Sequence, residues 1–349
     1  MVTISLCMIV KNEESCLRAC LDSVKDLVDE FILVDTGSTD STKDIIKEYA
    51  DTCYTFDWIN DFSAARNYAF SLATKDFILW LDADDVLLPK DQEKFSSLKS
   101  SLIPQIDIVS MIYDITFNEK GECTLSIPRD KLIRNKKGFY WRYFVHEELV
   151  VWGPRMDSDI HVTHTSDHGH YSRYLKNYEQ RIAEGYELLP HEKYFYGGEL
   201  FMAKDYKKCM EVLEDFLKHP SNNAFELQRG MEFLCHCYRE QQEYNRGIAY
   251  FLSLLSSAPP TSNLCLSLGW MYLDSKQYAS AIFWYSLVVE LSDSLLPRTK
   301  ANLICANLQL VLCYHAVDRR EDAIRANERV LALDKDHPSA LFNKKFFES

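Results

Sequence analysis

Apolar positions in the first hundred residues follow two alternating spacings. Short apolar runs typical of buried strands are separated by segments in which apolar residues recur at helical spacing. The strand-like runs are Thr3–Val10, Phe31–Val34, Tyr54–Phe56 and Phe77–Leu81, and the helical segments are Glu14–Val28, a segment after Ser41, and Ser63–Ala73. This order predicts a mainly parallel sheet covered by helices, with ligands at the carboxyl ends of the strands.

The pattern changes in the rest of the chain. Ile106–Phe117 alternates like an antiparallel strand, and from about Tyr171 onward the spacing is helical throughout. Tyr238 recurs as Tyr272 after 34 residues and Tyr314 follows 42 residues later, close to the period of tetratricopeptide repeats. We therefore predict an α/β domain over residues 1–170 and an all-α, tetratricopeptide-like repeat domain over residues 171–349.

Composition narrows the set of partners. The 349-residue chain carries a net charge of −13, and no run of Lys or Arg is longer than two. Nucleic acids and anionic membranes require a positive field, so we expect neither as a partner. No apolar stretch is long enough for a membrane span, and the N-terminus shows no secretory signal. Eleven scattered cysteines predict reduced thiols, so we expect a cytoplasmic protein.

Two carboxylates follow the last strand of the parallel group. Asp82 and Asp84 stand two positions apart, where the chain leaves the sheet. That spacing suits a hard divalent cation, which takes one or two protein carboxylates together with phosphate oxygens. An Asp-x-Asp pair alone is common in ordinary acidic turns, so other groups at the same sheet edge have to support this interpretation.

Further polar groups are expected at the same edge. Asp35 ends the second strand-like run and is placed to accept hydrogen bonds from a base or ribose; a capped loop alone does not account for it. Ser41 to Asp44 fits a capping box, so the Ser41 side chain is expected to cap the next helix. Arg66 adds a cation that suits phosphate or carboxylate, or else an ion pair with an Asp of the same edge.

Four motifs together resemble the family 2 glycosyltransferases. The motifs are Cys7–Glu13, Val34–Asp40, Asp61–Asn67 and Leu81–Asp84. The resemblance covers roughly residues 3–170 and implies a GT-A fold, a nucleoside-diphosphate sugar as donor, Mg²⁺ or Mn²⁺, and inversion at the anomeric carbon. It also implies that Val10 and Glu13 line the nucleotide pocket, that Asp35 contacts the base or ribose, and that Asp82 and Asp84 serve the ribose and the metal.

A closer resemblance lies further along the chain. Val145–Glu148 and Val162–His164 are similar to segments of the sublancin-type peptide S-glycosyltransferases, which also append tetratricopeptide-like helices. The resemblance implies that His164 is a third metal ligand, with His161 and His168 as rivals, and that His146 and Glu147 lie beside the acceptor. An inverting transfer needs a base for the acceptor proton; Glu147 is our first choice and His146 the second.

These features predict an inverting, metal-dependent glycosyltransferase that moves a sugar from a UDP-sugar to a peptide or protein side chain, Cys or Ser/Thr. The helical domain is expected to bind that acceptor or a second copy of the chain, which would form a homodimer. One alternative is a transferase of cell-envelope or other glycans with a saccharide or lipid acceptor. Another is a non-catalytic tetratricopeptide scaffold with a degenerate transferase domain, against which the intact Asp35, Arg66, Asp82 and Asp84 argue.

Overall fold

The computed structural model describes residues 1–118, 121–165, 171–219, 223–256 and 259–348. The chain divides into two compact units, Met1–His170 and Tyr171–Ser349. The first is an α/β unit and the second consists of helices, so the predicted fold class is confirmed.

The first unit is built around an eight-stranded mixed sheet with the order β3-β2-β1-β4-β7-β6-β10-β5, and β8 and β9 form a separate hairpin. The strands are β1 (Ile4–Val10), β2 (Glu30–Asp35), β3 (Tyr54–Thr55), β4 (Phe77–Trp80), β5 (Asp85–Val86), β6 (Ile108–Phe117), β7 (Cys123–Arg134), β8 (Tyr140–Arg142), β9 (Glu148–Val150) and β10 (Arg155–His164). Strands β1 to β4 run parallel to one another, whereas β7 pairs antiparallel with both β4 and β6. The helices of this unit are α1 (Leu17–Val24), α2 (Thr42–Tyr49), α3 (Phe62–Leu72) and α4 (Pro89–Ser101).

Side chains of the parallel strands alternate between two hydrophobic cores, because successive residues of a strand point to opposite faces. Along β1, Leu6, Met8 and Val10 pack in the core that contains α1, α2 and α4. Cys7 of β1 and Trp80 of β4 pack in the other core, together with α3 and β8. Both faces are therefore covered, as a largely parallel sheet requires.

The start of α2 differs from the prediction. The Ser41 side chain makes no capping hydrogen bond. Instead Asp40 Oδ1 accepts the backbone N–H of Thr42 at 3.0 Å, and Glu14 Oε2 accepts that of Ser41 at 3.0 Å. The capping-box prediction is wrong because both amides of the box have other partners. The N–H of Asp44 donates to the Ser41 carbonyl at 3.0 Å, and the N–H of Ser41 donates to Glu14.

The second unit stacks helices in pairs. Its helices are α5 (Tyr171–Ala183), α6 (Pro190–Met202), α7 (Tyr206–Lys218), α8 (Ala224–Glu240), α9 (Tyr244–Leu254), α10 (Ser262–Asp274), α11 (Tyr278–Glu290), α12 (Lys300–Ala316), α13 (Arg320–Leu333) and α14 (Pro338–Glu348). Consecutive helices pack together, and α6, α8, α10 and α12 also contact one another in that order. We call these four the inner helices. This stacking confirms the predicted repeat character, since one helix pair cannot bury its apolar face alone.

Close packing within a helix pair explains the glycine at position 269. A Cβ at Gly269 would lie 2.4 Å from the Tyr285 ring, so only glycine lets α10 and α11 approach this closely. Tyr285 is fully buried, and so is Tyr238 of the preceding pair.

Across the described residues, no helix combines the length and the apolar character needed to cross a membrane.

Candidate functional site

The carboxyl ends of β1 and β2 lie side by side, with Val10 of β1 in register with Asp35 of β2. The loops that follow them are tied together by hydrogen bonds. Asn12 Oδ1 accepts the backbone N–H of Thr39 at 2.8 Å, and the N–H of Glu13 donates to Thr42 Oγ1 at 2.8 Å. Asn12 has a positive φ of 57°, which asparagine tolerates better than most residues. The two loops therefore form one braced edge of the sheet.

Asp35 is engaged by its own loop. Its carboxylate is 2% exposed and accepts the backbone N–H of Gly37 and of Ser38, each at 3.0 Å, while Lys43 Nζ lies 3.3 Å from Oδ2. Burial alone would raise the pKa of Asp35, but hydrogen bonds from Ser38 and Gly37 outweigh it and lower the pKa. Asp35 thus braces its own loop, and its contact with a base or ribose stays a prediction.

Val10 and Glu13 occupy different surroundings. Val10 is 2% exposed and its side chain packs in the core beside α1, while its carbonyl accepts the N–H of Thr36 at 2.9 Å. The family resemblance implied that Val10 lines the nucleotide pocket, but its side chain faces the core and cannot do so. Glu13 is half-buried; its carbonyl accepts the N–H of Leu17 at 2.9 Å, and the Cys16 thiol lies 3.2 Å from its Oε2.

The residues after β4 form a tight acidic turn. The backbone N–H of Asp85 donates to the carbonyl of Asp82, and the N–H of Asp82 donates to Asp85 Oδ2, both at 3.0 Å. The carbonyl of Asp84 accepts the N–H and the hydroxyl of Thr165, at 2.9 and 2.8 Å. The turn is thus held to the end of β10, where His164 is in register with Asp85.

Within the described residues, Asp84, Asp85 and His164 form a group that can hold a metal ion, with ligand atoms that all lie within 4.8 Å of one another. His164 Nδ1 is 3.4 Å from the nearest carboxylate oxygen of Asp84 and of Asp85. Two carboxylates and an imidazole fit the ligand preferences of Mn²⁺, and the carboxylates fit those of Mg²⁺. Asp82, which we expected in this set, is not part of this group; its Oδ1 lies 2.7 Å from Arg66 Nη2 instead.

Of the three histidines considered, the structure brings His164 to the acidic turn. The pKa of His164 is raised by its hydrogen bond to Asp85, with a further contribution from Asp84. His161 Nδ1 contacts Asp114 Oδ2 at 2.8 Å instead. His168 lies outside the described residues.

Arg66 joins two carboxylates that are far apart in the sequence. Its Nη2 lies 2.7 Å from Asp82 Oδ1, and its Nε lies 2.7 Å from Glu147 Oε1. The guanidinium lies over the Trp141 ring, 4.8 Å from its centroid, and is 5.5 Å from that of Trp80. Burial would lower the pKa of Arg66, but attraction by Asp82 and Glu147 outweighs it and raises the pKa. Of the two roles considered for Arg66, the structure shows the ion pair.

The segment before Glu147 is packed against the start of α3. The backbone N–H of Phe62 donates to the carbonyl of Phe144 at 2.9 Å, and Val145 is fully buried. His146 follows in the left-handed region, with a φ of 52°. Its neighbour Glu147 keeps a side chain that is 15% exposed and bound to Arg66. The structure therefore brings Glu147 to the same edge of the sheet as Asp82.

Sequence reasoning missed Asp85 and Lys131. Asp85 is fully buried, and its Oδ2 is 2.7 Å from Nζ of Lys131, which is also fully buried. The extra acid was visible in the run Asp82-Ala83-Asp84-Asp85. The sequence indicated Lys131 less clearly: it is a charged residue directly before Leu132 and Ile133, which are buried in the core.

Comparison with known proteins agrees with this architecture. Residues 5–145 match the family Glycosyl transferase family 2. The SPbeta prophage-derived glycosyltransferase SunS of Bacillus subtilis (strain 168) is 27% identical over 277 residues, which cover 74% of this chain and 64% of SunS. The TPR repeat-containing protein Synpcc7942_0270 of Synechococcus elongatus is 50% identical over 102 residues, or 29% of this chain and 25% of that protein.

Among solved structures, the TPR protein YrrB aligns with 50% of this chain and 84% of its own, at 16% identity and a TM-score of 0.38. The chain spans about a quarter of the Synechococcus protein and less than two thirds of SunS. The predicted combination of a family 2 glycosyltransferase domain with tetratricopeptide-like helices is confirmed.

Proposed function

We propose that this chain, which contains a domain of glycosyl transferase family 2, transfers a sugar from a UDP-sugar to a peptide or protein side chain, with inversion and with the help of a divalent cation. One arrangement supports the proposal most. Asp84 and His164 face each other at the strand edge, and Arg66 holds Glu147 to the same acidic turn. The proposed metal ligand Asp84 and the proposed base Glu147 are thus both linked to one acidic turn, Glu147 through Arg66 and Asp82.

The cation would be held by Asp84 and His164. Mg²⁺ and Mn²⁺ commonly take one or two protein carboxylates and leave the remaining positions to phosphate oxygens and water. When bound, such an ion supplies charge neutralisation for the departing diphosphate. Glycosyltransferase relatives and the Asp-Asp-His group support this assignment, whereas the choice between Mg²⁺ and Mn²⁺ stays a prediction.

Glu147 would act as the base. As the new bond to the anomeric carbon forms, the Cys thiol or Ser/Thr hydroxyl of the acceptor has to lose its proton, and Glu147 would take it. Arg66 fixes the orientation of this carboxylate through a bond to Oε1. The orientation of Glu147 matters because a base must lie within hydrogen-bonding distance of the thiol or hydroxyl whose proton it takes. His146 remains the alternative base.

The acceptor would bind to the helical unit. Phe201 of α6 stacks on Phe233 of α8, with ring centroids 4.7 Å apart, and His236 of α8 packs edge-on against Phe201 at 5.0 Å. We call these three residues the aromatic patch. Half-buried aromatic side chains on the inner helices suit a peptide better than a single sugar, because stacked repeats form extended binding surfaces. Alternatively, these helices would form a homodimer contact. The cytoplasmic location of the protein also stays a prediction.

Slow hydrolysis of a panel of nucleotide sugars tests the proposal without a known acceptor. Purified protein is incubated with Mn²⁺ and each donor in turn, and release of free nucleotide is followed. We expect hydrolysis of at least one UDP-sugar above the rate without protein. If no donor is hydrolysed and no nucleoside diphosphate binds, the alternative of a non-catalytic scaffold is supported instead.

A further inference from the structure

The acidic turn holds three carboxylates within four positions, and two of them have a basic partner on the α3 side of the sheet. Arg66 of α3 pairs with Asp82, and Lys131 of β7 pairs with Asp85, each at 2.7 Å. The two pairs differ in burial. The Asp82 side chain is 36% exposed, whereas both side chains of the Lys131–Asp85 pair are 0% exposed.

Lys131 is enclosed by aromatic rings. Its Nζ lies 3.8 Å from the centroid of the Trp80 ring and 4.4 Å from that of Tyr113. Removing a lysine from water is costly, and a pair with a carboxylate together with contacts to aromatic faces offsets that cost. A charge at such a position adds little to stability compared with an apolar residue, so a role toward the neighbouring site is a better explanation of its presence.

Asp85 has most of its hydrogen-bonding capacity occupied. A carboxylate offers about four acceptor positions. Oδ2 accepts from Lys131 Nζ at 2.7 Å and from the backbone N–H of Asp82 at 3.0 Å. Oδ1 accepts the hydroxyl of Tyr113 at 2.9 Å, and His164 Nδ1 approaches the same oxygen at 3.4 Å. Three positions are taken by well-formed bonds within the protein, and the fourth faces His164.

We propose that Lys131 is a positioning residue that keeps Asp85 out of the metal's coordination sphere, so that Asp84 and His164 supply the protein ligands. The inference rests on the proposed function, because that function provides the divalent cation. Lys131 neutralises Asp85 and holds it as the acceptor that closes the Asp82–Asp85 turn. Asp85 and Tyr113 in turn orient the His164 ring, since the Tyr113 hydroxyl lies 3.0 Å from His164 Nδ1.

The charge of Lys131 has a second consequence for the site. A fixed positive charge behind Asp85 opposes the cation and cancels one of the three negative charges of the turn. The site then binds its ion loosely enough to release it with the nucleotide product. Without Lys131, the uncompensated carboxylate of Asp85 would turn to the cation, and the ion would bind more tightly.

Direct Mn²⁺ binding in the presence of UDP tests this role, with free Mn²⁺ measured by electron paramagnetic resonance. Three variants are compared with the wild-type chain: Lys131→Met, the double variant Lys131→Met with Asp85→Asn, and Lys99→Met. The last is a matched control, because Lys99 is also a poorly exposed lysine, paired at 2.6 Å with Asp29 of the same α/β unit. Thermal melting without metal reports on folding of each variant.

We expect Lys131→Met to bind Mn²⁺ at least about fivefold more tightly than the wild type, and its melting temperature to rise more on addition of Mn²⁺. The double variant should return to within about threefold of wild-type affinity, because neither removed group is a ligand. Lys99→Met should melt earlier and bind Mn²⁺ like the wild type.

Two outcomes overturn the inference alone. One is a double variant that binds Mn²⁺ at least about tenfold more weakly, which would make Asp85 a ligand. The other is Lys131→Met binding Mn²⁺ no differently from Lys99→Met, which would leave Lys131 a merely structural role. If Lys131→Met does not fold, the Mn²⁺ affinity of the double variant decides whether Asp85 is a ligand. A wild-type chain that binds no Mn²⁺ with UDP instead contradicts the metal-dependent function itself, and this inference with it.

Discussion

Arg66 donates a hydrogen bond to Glu147 at 2.7 Å, although 81 residues separate the two in the chain. The same guanidinium binds Asp82 at 2.7 Å. One side chain thus joins α3, the acidic turn after β4 and the segment between β8 and β9. The fold therefore holds the proposed base against the proposed donor site before any substrate is present.

Replacing Arg66 by methionine should release Glu147 and slow sugar transfer by about tenfold to a hundredfold, because small displacements of a reacting group are costly. The free energy of unfolding should fall by about 2–4 kcal/mol, since the poorly exposed carboxylate of Glu147 and the partly exposed one of Asp82 lose their shared partner. Arg142→Met is the matched control, because Arg142 forms an exposed pair with Glu148 at 2.8 Å. The control should change stability by less than about 1 kcal/mol. Equal effects of the two variants on turnover would contradict the role of Arg66.

Replacing Glu147 by glutamine tests the base. The amide keeps the size of the side chain but cannot take a proton, so transfer to an acceptor should fall by about a hundredfold or more. Donor binding, measured by calorimetry, should remain. His146→Asn is the comparison, because asparagine adopts the left-handed backbone that His146 has, with a φ of 52°. If His146→Asn abolishes transfer and Glu147→Gln does not, the base is His146.

Uridine diphosphate should bind at least about tenfold more tightly than guanosine or adenosine diphosphate in the presence of Mn²⁺. The expectation comes from Asp35, which the family resemblance places beside the base or ribose and which braces the loop through Gly37 and Ser38. Calorimetric titration of the three nucleotides gives the comparison. Equal affinities, or a preference for guanosine diphosphate, would remove the assignment of a UDP-sugar.

Replacing Phe233 by serine should weaken acceptor turnover and leave slow donor hydrolysis unchanged, since the aromatic patch belongs to the helical unit. Phe283→Ser on α11 is the matched control, because Phe283 is exposed and lies outside the inner helices. Steady-state kinetics with the acceptor, and the oligomeric state measured by light scattering, separate a peptide surface from a dimer contact. If neither quantity changes for Phe233→Ser, the aromatic patch binds no partner.

Local patterns in the sequence were sufficient for much of the fold. Alternating apolar runs predicted β1, β2 and β4, and the recurrence of Tyr238 as Tyr272 and Tyr314 predicted the repeated helix pairs of the second unit. The same alternation implies that the Val10 side chain faces a core, which motif matching alone overlooked. The wrong cap at Ser41 had another origin, because the competing carboxylate of Glu14 comes from a different loop.

The interior of the site could be predicted less well. Asp84 and His164 were expected together, but nothing local in the sequence indicates that Lys131 of a later antiparallel strand reaches Asp85. For Arg66, the sequence left a phosphate or carboxylate ligand and an ion pair with an Asp of the same edge both open, and the structure shows the pair with Asp82. These contacts depend on which elements the fold places side by side, and the local spacing of apolar residues does not determine that order.

The most direct test of metal-dependent glycosyl transfer is hydrolysis of the preferred UDP-sugar by the wild-type chain and by Asp84→Asn, each with Mn²⁺ and with a chelator. Asparagine keeps the shape of Asp84 but removes a charge from the ion site. Asp159→Asn serves as control, because Asp159 is an exposed acid paired with Lys94. We expect wild type and control to hydrolyse the donor only with Mn²⁺, and Asp84→Asn to lose hydrolysis while melting within about 2 °C of the wild type without metal. Hydrolysis that persists both in Asp84→Asn and in the presence of chelator would contradict the account.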